Sequence, residues 1–513
     1  MAHLLSIDLG TSSVKVLLAT ETGQILSQGS AEYPIHRPQP DWAEQNPDDW
    51  WRATVTAMHQ VLTGLRRRPI SISAIGLSGQ MHGTVLLDKK EQLLGPAIIW
   101  PDQRSQRQVQ EITGLIGAER LIELTGSPVA TGFQAATLRW IQQEDAGRWQ
   151  QTHSVLLPKD YLRWRLTGEY HTDPSDGSGT LLFDVRRRDW STEILAALEI
   201  DQAKLPPVQP SSAVAGQLTQ RAAAALGLPA GIPVVIGAAD TACAALGAGI
   251  VDAQTLLLTI STGGQIVLPA LDVHVDRAGR IHTFCCALSP GPNRTGWYQL
   301  AALLSAGMTL RWLRDQILGL WGEKAYAQMT TWAGSVPPGA HGLLFLPYLA
   351  GERTPHMDPQ ARGIFLGLTA SHGQAELVRA VMEGVALACY DAYTVLAELG
   401  ASPERIIMAG GGARSQLWRQ IMANVFGLPV QRLDVADQSA LGALLLAGAG
   451  MKLFESDDTA QTWATYGPPV EPNPQQHAFY QQSLLPLFRS AYQKHREDFR
   501  QLQNLQRQYQ SPQ

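Results

Sequence analysis

Cysteine is scarce in this sequence. The 513 residues include four cysteines, Cys243, Cys285, Cys286 and Cys389. They form no CxxC pair, which argues against the common zinc and dithiol redox motifs. Cys285 and Cys286 are adjacent and therefore poorly placed to form a disulfide with each other. So few thiols in so long a chain are typical of a reducing compartment, and we expect a cytoplasmic protein.

Long apolar runs and a strong charge bias are also lacking. The longest apolar runs, such as residues 440–451, fall short of the ~20 residues that a membrane helix needs. The first residues carry no basic segment ahead of an apolar core, so we expect no signal peptide. The formal net charge is −5. Neither nucleic acid nor an anionic membrane is expected as a partner on that basis.

The composition that remains is that of an ordinary globular protein, with 45% hydrophobic and 17% charged residues. A chain of this length is too long for one hydrophobic core, so at least two domains are expected. We predict domains over residues 1–248 and 249–490. A polar, Gln-rich tail over 491–513 is predicted as a surface helix with a frayed end.

A strand–turn–strand pattern occurs twice in the sequence. Residues 4–9 and 14–19 are predicted strands around the turn at residues 10–13, and residues 255–260 and 265–269 are predicted strands around the turn at 261–264. The repeat predicts two similarly built α/β domains. Other predicted elements are strands at 24–32, 72–77, 233–236 and 406–408 and helices at 46–64, with Asn46 as N-cap, 241–248 and 374–399.

The first of these turns combines glycine, hydroxyl groups and a carboxylate. Gly10 lets the backbone approach a phosphate, and Thr11 and Ser12 can donate hydrogen bonds to its oxygens. Asp8, at the end of an apolar strand, can hold Mg²⁺ directly or through water. The alternative is a hairpin turn in which Asp and Ser bond their own backbone.

Two further glycine-containing segments suit phosphate or nucleotide binding. Thr262 and Gly263 repeat the turn chemistry, although a purely structural turn is the alternative there. Residues 410–412 are three glycines between a strand and a helix, which suits a nucleotide at a helix N-terminus or, alternatively, a flexible turn. No GxGxxG follows, so this is not a Rossmann fingerprint.

Asp240 is the only acid between residues 231 and 250. A lone carboxylate among small apolar residues is costly unless it is used. It can cap the helix that follows and also act as general base for a hydroxyl group. Gln80 and His82, at the end of another predicted strand, can supply directional hydrogen bonds to a polyol, although a lone histidine is often structural.

Long segments of the chain resemble the signatures of the FGGY carbohydrate kinases. The two most specific are residues 345–363, which contain Gly-Glu-Arg-Thr-Pro, and residues 409–420. The resemblance extends along most of the chain and is nearest to the members that phosphorylate D-xylulose. The segments that carry this nearer resemblance are residues 79–83, 157–163, 172–178, 281–285 and 304–313.

The resemblance implies an actin-like fold of two ribonuclease-H-like domains with the active site in the interdomain cleft. It also implies ATP, Mg²⁺ and the transfer of phosphate to D-xylulose. The implied roles are catalytic base for Asp240, metal association for Asp8, sugar contact for Gln80, Met81 and His82, phosphate contact for Thr11, Ser12, Thr262 and Gly263, and nucleotide contact for Gly307, Arg311, Gly412 and Gln416.

Three residues depart from the family pattern. Thr241 stands where Asn or Gln is usual after the catalytic Asp, Pro101 stands where Asn is usual, and Cys286 stands where a second His is common. Another ketose or a polyol therefore stays open as substrate, and so does a homodimer. An actin-like ATPase is disfavoured by the Gln-Met-His loop, and an inactive sugar sensor is disfavoured by the presence of both Asp8 and Asp240.

Overall fold

The computed structural model describes residues 2–65, 70–322, 324–435 and 437–510. The strands are β1 (His3–Leu9), β2 (Ser13–Thr20), β3 (Ile25–Glu32), β4 (Glu44–Gln45), β5 (Ile72–Gly79), β6 (Val85–Leu87), β7 (Ala97–Ile98), β8 (Ser154–Leu156), β9 (Phe183–Asp184), β10 (Asp189–Trp190), β11 (Val214–Gln217), β12 (Pro233–Val235), β13 (Ala238–Ala239), β14 (Thr255–Ile260), β15 (Gly264–Ala270), β16 (His282–Cys285), β17 (Trp297–Leu303), β18 (Leu344–Leu346), β19 (Ile364–Leu366), β20 (Arg405–Ala409) and β21 (Val430–Arg432).

The helices are α1 (Pro47–Gly64), α2 (Gln106–Ile116), α3 (Ala118–Thr125), α4 (Gln134–Glu144), α5 (Ala146–Gln151), α6 (Pro158–Thr167), α7 (Pro174–Ser178), α8 (Thr192–Ala197), α9 (Gln220–Leu226), α10 (Asp240–Gly247), α11 (Gly307–Trp312), α12 (Ala325–Gly334), α13 (Gln374–Glu398), α14 (Gln416–Phe426), α15 (Gln438–Gly450), α16 (Ser456–Trp463), α17 (Pro474–Phe479) and α18 (Leu485–Gln510).

The chain divides into two compact units, each assembled from separate segments. The first unit contains Met1–Asp252, Pro269–Tyr298 and Val435–Thr465. The second contains Ala253–Leu268, Gln299–Asp434 and Tyr466–Gln513. The domain limits at residues 248 and 490 stay predictions.

In the first unit the main sheet has the strand order β11-β12-β5-β1-β2-β3, with β13 beside β5. β1 is antiparallel to β2 and parallel to β5. The apolar side chains of Leu5, Ile7 and Leu9 on β1 are fully buried. Helix α1 packs on β2 and β3, and helix α15 packs on β1 and β5. The carboxyl end of β1 is thereby fixed between two neighbouring strands.

The cap of α1 is the one that the sequence predicts. Asn46 accepts a hydrogen bond from the Asp48 amide, and Pro47 is the first helical residue. The predicted cap of α10 is wrong by one residue. Ala239 has the extended ψ of a cap, and Asp240 already lies inside the first turn, so its carboxylate does not cap the helix.

The second unit repeats the arrangement around a second hairpin. Its strands run in the order β17-β15-β14-β20-β21. β14 is antiparallel to β15 and parallel to β20, as β1 is to β2 and β5. Helix α13 is apolar and long enough to cross a membrane by length and composition, but 78% of its most apolar window is buried inside the protein.

The polar tail is helical over residues 491–510, as predicted, but it is more than a surface helix. Residues 511–513, where its end was predicted to be frayed, lie outside the described residues. Phe488, Ala491, Tyr492 and Phe499 on α18 are buried. The Tyr492 hydroxyl donates to Asp358 Oδ2 at 2.9 Å. The Gln-rich composition hides an apolar stripe that recurs at helical spacing, and this stripe packs against the second unit.

Candidate active site

Asp240 lies where the short strand β13 passes into α10. Its Oδ1 accepts a hydrogen bond from the Thr241 amide at 2.6 Å and another from the Thr241 hydroxyl at 3.2 Å. Burial, reinforced by the charge of Asp8, raises the pKa of Asp240 to about 7. The residue as a whole is half-buried. A carboxylate whose pKa lies near neutral pH is suited to accept a proton from a hydroxyl group.

Asp8 lies near the end of β1, between Lys15 on β2 and Ser78 on β5. Burial raises the pKa of Asp8 to about 6. The Ser78 hydroxyl beside it lowers that pKa in part. Asp8 Oδ1 is buried and makes no hydrogen bond of close geometry, which fits an oxygen that takes a metal ion. Among the described residues no group of three or more His, Cys, Asp or Glu could hold a metal ion. A Mg²⁺ ion at Asp8 would therefore take most of its ligands from phosphate oxygens and water, as this ion commonly does.

A salt bridge beside Asp8 was not predicted from the sequence. Lys15 Nζ contacts Asp437 Oδ1, and Asp437 lies at the N-cap position of α15. Lys15 favours the ionised form of Asp8, whereas Asp437 disfavours it. Asp437 is far from Asp8 along the chain and lies in no motif, so only the fold could bring them together.

The turn between β1 and β2 is held by side chains of other segments. The Tyr33 amide donates to the Ser12 carbonyl at 3.0 Å, and the Tyr33 hydroxyl donates to the Gly10 carbonyl. Trp100 Nε1 donates to the Thr11 hydroxyl at 3.0 Å. Thr11 and Ser12, the predicted phosphate ligands, thus lie in a turn whose backbone is fixed, and Ser12 is exposed.

The buried side chain of Gln45 connects this turn with the loop after β5. Gln45 Nε2 donates to the Thr11 carbonyl at 2.7 Å, and Gln45 Oε1 accepts from Gln80 Nε2 at 2.9 Å and Trp50 Nε1 at 3.1 Å. Gln80 is only 1% exposed. Its role as a sugar ligand stays a prediction, and this geometry favours a supporting role instead.

His82 follows in the same loop with its backbone in the left-handed region, at φ 71°. This conformation is uncommon for a residue other than Gly and tends to occur at functional sites. Its Nδ1 donates to the Gly179 carbonyl at 2.6 Å, and its ring packs on Phe133 with centroids 3.9 Å apart. A Cβ at Gly179 would lie 3.0 Å from Met81 Cε, so glycine leaves room for the buried Met81 side chain. The loop therefore holds the imidazole in one orientation.

A cavity of about 670 Å³ lies within the second unit. Its size is in the range typical of small-molecule and cofactor sites. The turn after β14, the start of α11, helix α12 and the glycine-rich turn before α14 line it. The predicted nucleotide and phosphate contacts among the lining residues are Thr262, Gly307, Arg311, Gly412 and Gln416. Gly263 is not among the lining residues, and its carbonyl accepts the Ser261 amide at 2.9 Å.

The wall of this cavity requires glycine at one close approach of the backbone. A Cβ at Gly307 would lie 2.2 Å from the Ser261 carbonyl oxygen, far inside contact distance. The Thr262 carbonyl accepts the amides of Ala306 and Met308 at 3.1 and 3.0 Å. The first hairpin turn of the unit and the start of α11 thus form one tight surface.

Two family models together match most of this chain. The N-terminal domain of the FGGY family of carbohydrate kinases matches residues 3–247, and the C-terminal domain of the same family matches residues 276–451. The chain belongs to the FGGY family of carbohydrate kinases.

Named relatives of this FGGY kinase match it over nearly its whole length. The xylulose kinase of Escherichia coli (strain K12) is 37% identical over 502 residues, which cover 97% of this chain and 98% of the relative. The xylulose kinase of Klebsiella pneumoniae is 40% identical over 444 residues, which cover 86% and 89%. The crystal structure of xylulose kinase from Rhodospirillum rubrum superposes with a TM-score of 0.91 at 30% identity and covers 97% of this chain and 100% of that one. The predicted two-domain FGGY sugar kinase fold is confirmed.

Several residues at the site of this FGGY kinase were missed by sequence reasoning. Gln45 and Phe133 belong to no motif and reach the site through the fold. Tyr326 and Trp418 line the cavity of the second unit. Trp418 lies within the signature at residues 409–420, so the sequence contained a signal for it, whereas Tyr326 lies on the separate helix α12 and had none.

Proposed function

We propose that this FGGY kinase transfers the γ-phosphoryl group of ATP to the O5 hydroxyl of D-xylulose, giving D-xylulose 5-phosphate and ADP. The observation that carries the proposal is the geometry of Asp240, a half-buried residue at the start of α10 whose Oδ1 accepts both hydrogen bonds from Thr241. Its pKa, which burial raises to about 7, agrees with this role. The choice of sugar is supported by the relatives of 37% and 40% identity, which are xylulose kinases.

Asp240 acts as general base. A sugar hydroxyl has a pKa far above 7, so it is a weak nucleophile until its proton has an acceptor. Both hydrogen bonds from Thr241 go to Oδ1, and we assign Oδ2 to the sugar hydroxyl. Oδ2 takes the proton as the sugar oxygen bonds to the γ-phosphorus and the bond from that phosphorus to the β–γ bridging oxygen breaks. General-base catalysis of this kind contributes about 10²–10⁴ in rate.

The other residues bind and orient the two substrates. Met81 and His82 contact the sugar from the loop after β5, and Thr11, Ser12 and Thr262 donate to phosphate oxygens. The second unit binds the nucleotide in the cavity beside Gly307 and Gly412. Asp8 is the residue that would hold Mg²⁺, which offsets the charge of the triphosphate when bound.

A kinase for another ketose or a polyol is the second candidate. The observation that favours it concerns Thr241, whose hydroxyl and backbone amide both donate hydrogen bonds to Asp240. A longer amide side chain at this position could reach a sugar hydroxyl, and Thr241 is too short to do so. Fewer fixed contacts to the sugar would broaden the range of substrates.

A coupled assay of ADP release tests both candidates. The purified protein is supplied with ATP, Mg²⁺ and, in turn, D-xylulose, D-ribulose, xylitol and glycerol. We expect the highest kcat/KM with D-xylulose. A higher kcat/KM with another compound would identify that compound as the substrate in place of D-xylulose. ADP release that does not depend on sugar would indicate an ATPase. Sugar binding without any ADP release would indicate a sensor.

The composition and charge of the chain support a proposal for its cellular location and partners. We infer a cytoplasmic enzyme that takes a small sugar and ATP and has neither nucleic acid nor a membrane as partner. Sedimentation of the purified protein tests the homodimer that the sequence left open.

A further inference from the structure

Charged side chains are buried together beneath the loop that carries the candidate base. Lys159, Asp160, Arg163, Asp173 and Asp176 have no exposed surface. Lys159 Nζ lies 2.7 Å from Asp160 Oδ1, 3.3 Å from Asp173 Oδ1 and 3.3 Å from Asp176 Oδ2. Arg163 lies 2.7 Å from the same oxygen of Asp160. The cost of removing so many charges from water offsets their mutual attraction, so a buried ion cluster is weak evidence for stability. We therefore ask what the cluster holds in place.

The cluster reaches the backbone that precedes Asp240 at two points: Lys159 and Arg163 each donate to the Ile236 carbonyl at 3.4 Å, and the Ser175 hydroxyl connects the cluster to Ala239, the residue directly before Asp240. Asp173 Oδ2 accepts hydrogen bonds from the amide and the hydroxyl of Ser175. Ser175 Oγ in turn accepts the Ala239 amide at 2.9 Å. Ser175 is fully buried, so its hydroxyl is shielded from bulk solvent.

The direction of the Asp240 carboxylate depends on this stretch of backbone. Both hydrogen bonds to Oδ1 come from the next residue, Thr241, so they move with the chain and do not anchor it. The fixed points outside the segment are the pairing of Ala238 and Ala239 with β5, the hydrogen bond of the Ala239 amide to Ser175, and the Ser439 hydroxyl of α15, which donates to the Asp240 carbonyl at 3.1 Å. A shift of the base by about 1 Å can cost on the order of 10² in rate.

We propose that Ser175 is a positioning residue for Asp240. Its hydroxyl ties the Ala239 amide to the buried ion cluster and thereby aims the carboxylate that follows. This inference rests on the proposed function, in which Asp240 is the general base.

The test compares two serines that share one partner. Ser211 Oγ also donates to Asp173 Oδ2, at 2.8 Å, and is buried. Its hydroxyl makes no bond to Ala239. Ser175→Ala should lower kcat at least ~10-fold and change the dissociation constants of D-xylulose and of a non-hydrolysable ATP analogue less than ~2-fold. Ser211→Ala removes a hydrogen bond from the same carboxylate and should leave kcat within about 3-fold of the wild type.

A double-mutant cycle separates positioning from a general structural effect. In an Asp240→Asn background there is no base to aim, so adding Ser175→Ala should lower kcat no further. Ser175→Cys keeps the volume with a weaker acceptor and should give an intermediate kcat. If Ser175→Ala has a much lower Tm than the wild type, Ser175→Cys takes its place in the comparison.

Three results would overturn the inference: an unchanged kcat in Ser175→Ala, an equal loss in Ser211→Ala, or the full loss repeated in the Asp240→Asn background. An Asp240→Asn protein as active as the wild type would instead overturn the proposed function.

Discussion

The two strand–turn–strand units of this chain share a backbone plan and differ in charge. The penultimate residue of the first strand is Asp8 in one and Thr259 in the other. Asp8 is paired with Lys15 on the neighbouring strand, whereas Thr259 is paired with Gln265. The position that is acidic in the first unit is therefore uncharged in the second.

The two turns are also held in different ways. Side chains from elsewhere in the first unit, Trp100 and Gln45, bond Thr11 in the first turn. In the second turn Thr262 accepts backbone amides of the segment that leads into α11. The same hairpin thus positions a carboxylate in one unit and forms the wall of a cavity in the other. The turns after β1 and after β14 therefore share a backbone shape and differ in the charge of the strand that leads into them.

The largest effect should follow from Asp240→Asn. The amide keeps the size of the side chain and can still accept the Thr241 bonds, but it cannot accept a proton. We expect a turnover at least ~10² lower, with normal ATP binding. Steady-state kinetics and calorimetry measure both quantities, with a thermal melt as the control for folding. Turnover within a few-fold of the wild type would remove Asp240 from the mechanism.

Asp8→Asn and Thr259→Val test the difference in charge directly. Loss of the Asp8 carboxylate should lower kcat at least ~10-fold and raise the Mg²⁺ concentration needed for half-maximal rate. Thr259→Val changes the corresponding residue of the second unit and should leave the Mg²⁺ requirement unchanged. A Mg²⁺ titration of both variants decides the point, and equal requirements in Asp8→Asn and wild type would contradict the metal assignment.

Gly307→Ala tests the cavity wall of the second unit. The added methyl group would meet the Ser261 carbonyl at 2.2 Å, so the start of α11 must move. We expect the KM for ATP to rise ~10-fold and the Kd for sugar to stay the same. Gly334→Ala is the matched control, since Gly334 does not line the cavity and a Cβ there would meet only Leu417 Cδ2, at 3.9 Å. Equal KM values for ATP in the two variants would argue against binding of the nucleotide at this wall.

His82→Ala tests the sugar loop of the first unit. The variant removes the imidazole that packs on Phe133 and should weaken D-xylulose binding several-fold while sparing ATP. Isothermal titration with each ligand measures this split. Equal losses for both ligands would indicate a folding defect or a misplaced residue.

The smallest effect concerns pH. Because the pKa of Asp240 lies at about 7, kcat/KM should rise as pH increases through 7. Ionisation of Asp240 also costs folding free energy, because its folded pKa lies above that of the unfolded chain, ~3.9. The stability it contributes is present below pH 4 and is lost as pH rises through 7. In ligand-free protein, Asp240→Asn should therefore raise Tm more at pH 8 than at pH 5, relative to wild type. Parallel melts measure this, and a Tm difference independent of pH would contradict it.

Much of the fold was predictable because the signals are local. The strands at residues 4–9 and 255–260 follow from short apolar runs bounded by turn residues, and α1 follows from Asn46 and Pro47. The buried face of α18 was missed because its few apolar residues are diluted among many polar ones. The start of α10 was misplaced because Asp is a common N-cap, and only the backbone angles show that Ala239 occupies that position.

The candidate site was predictable to the extent that it lies in motifs. Asp8, Asp240 and His82 stand at strand ends beside small residues, a pattern that the sequence shows directly. Gln45 and Asp437 reach the site only because distant segments pack together, and no spacing rule links them to it. The role of Gln80 as a sugar contact stays a prediction, and its sequence position does not reveal that its amide nitrogen is bonded to Gln45.

The packing of α15 on β1 and β5 has a consequence for biosynthesis. The sheet of the first unit leaves the ribosome long before this helix, which begins at Gln438. At about 5–20 residues per second, roughly ten to forty seconds separate the end of α10 from the appearance of α15. During that interval apolar residues of β1 and β5 lack their final cover. The nascent chain therefore offers a binding surface to chaperones, and an isolated fragment that ends near residue 252 should aggregate rather than fold.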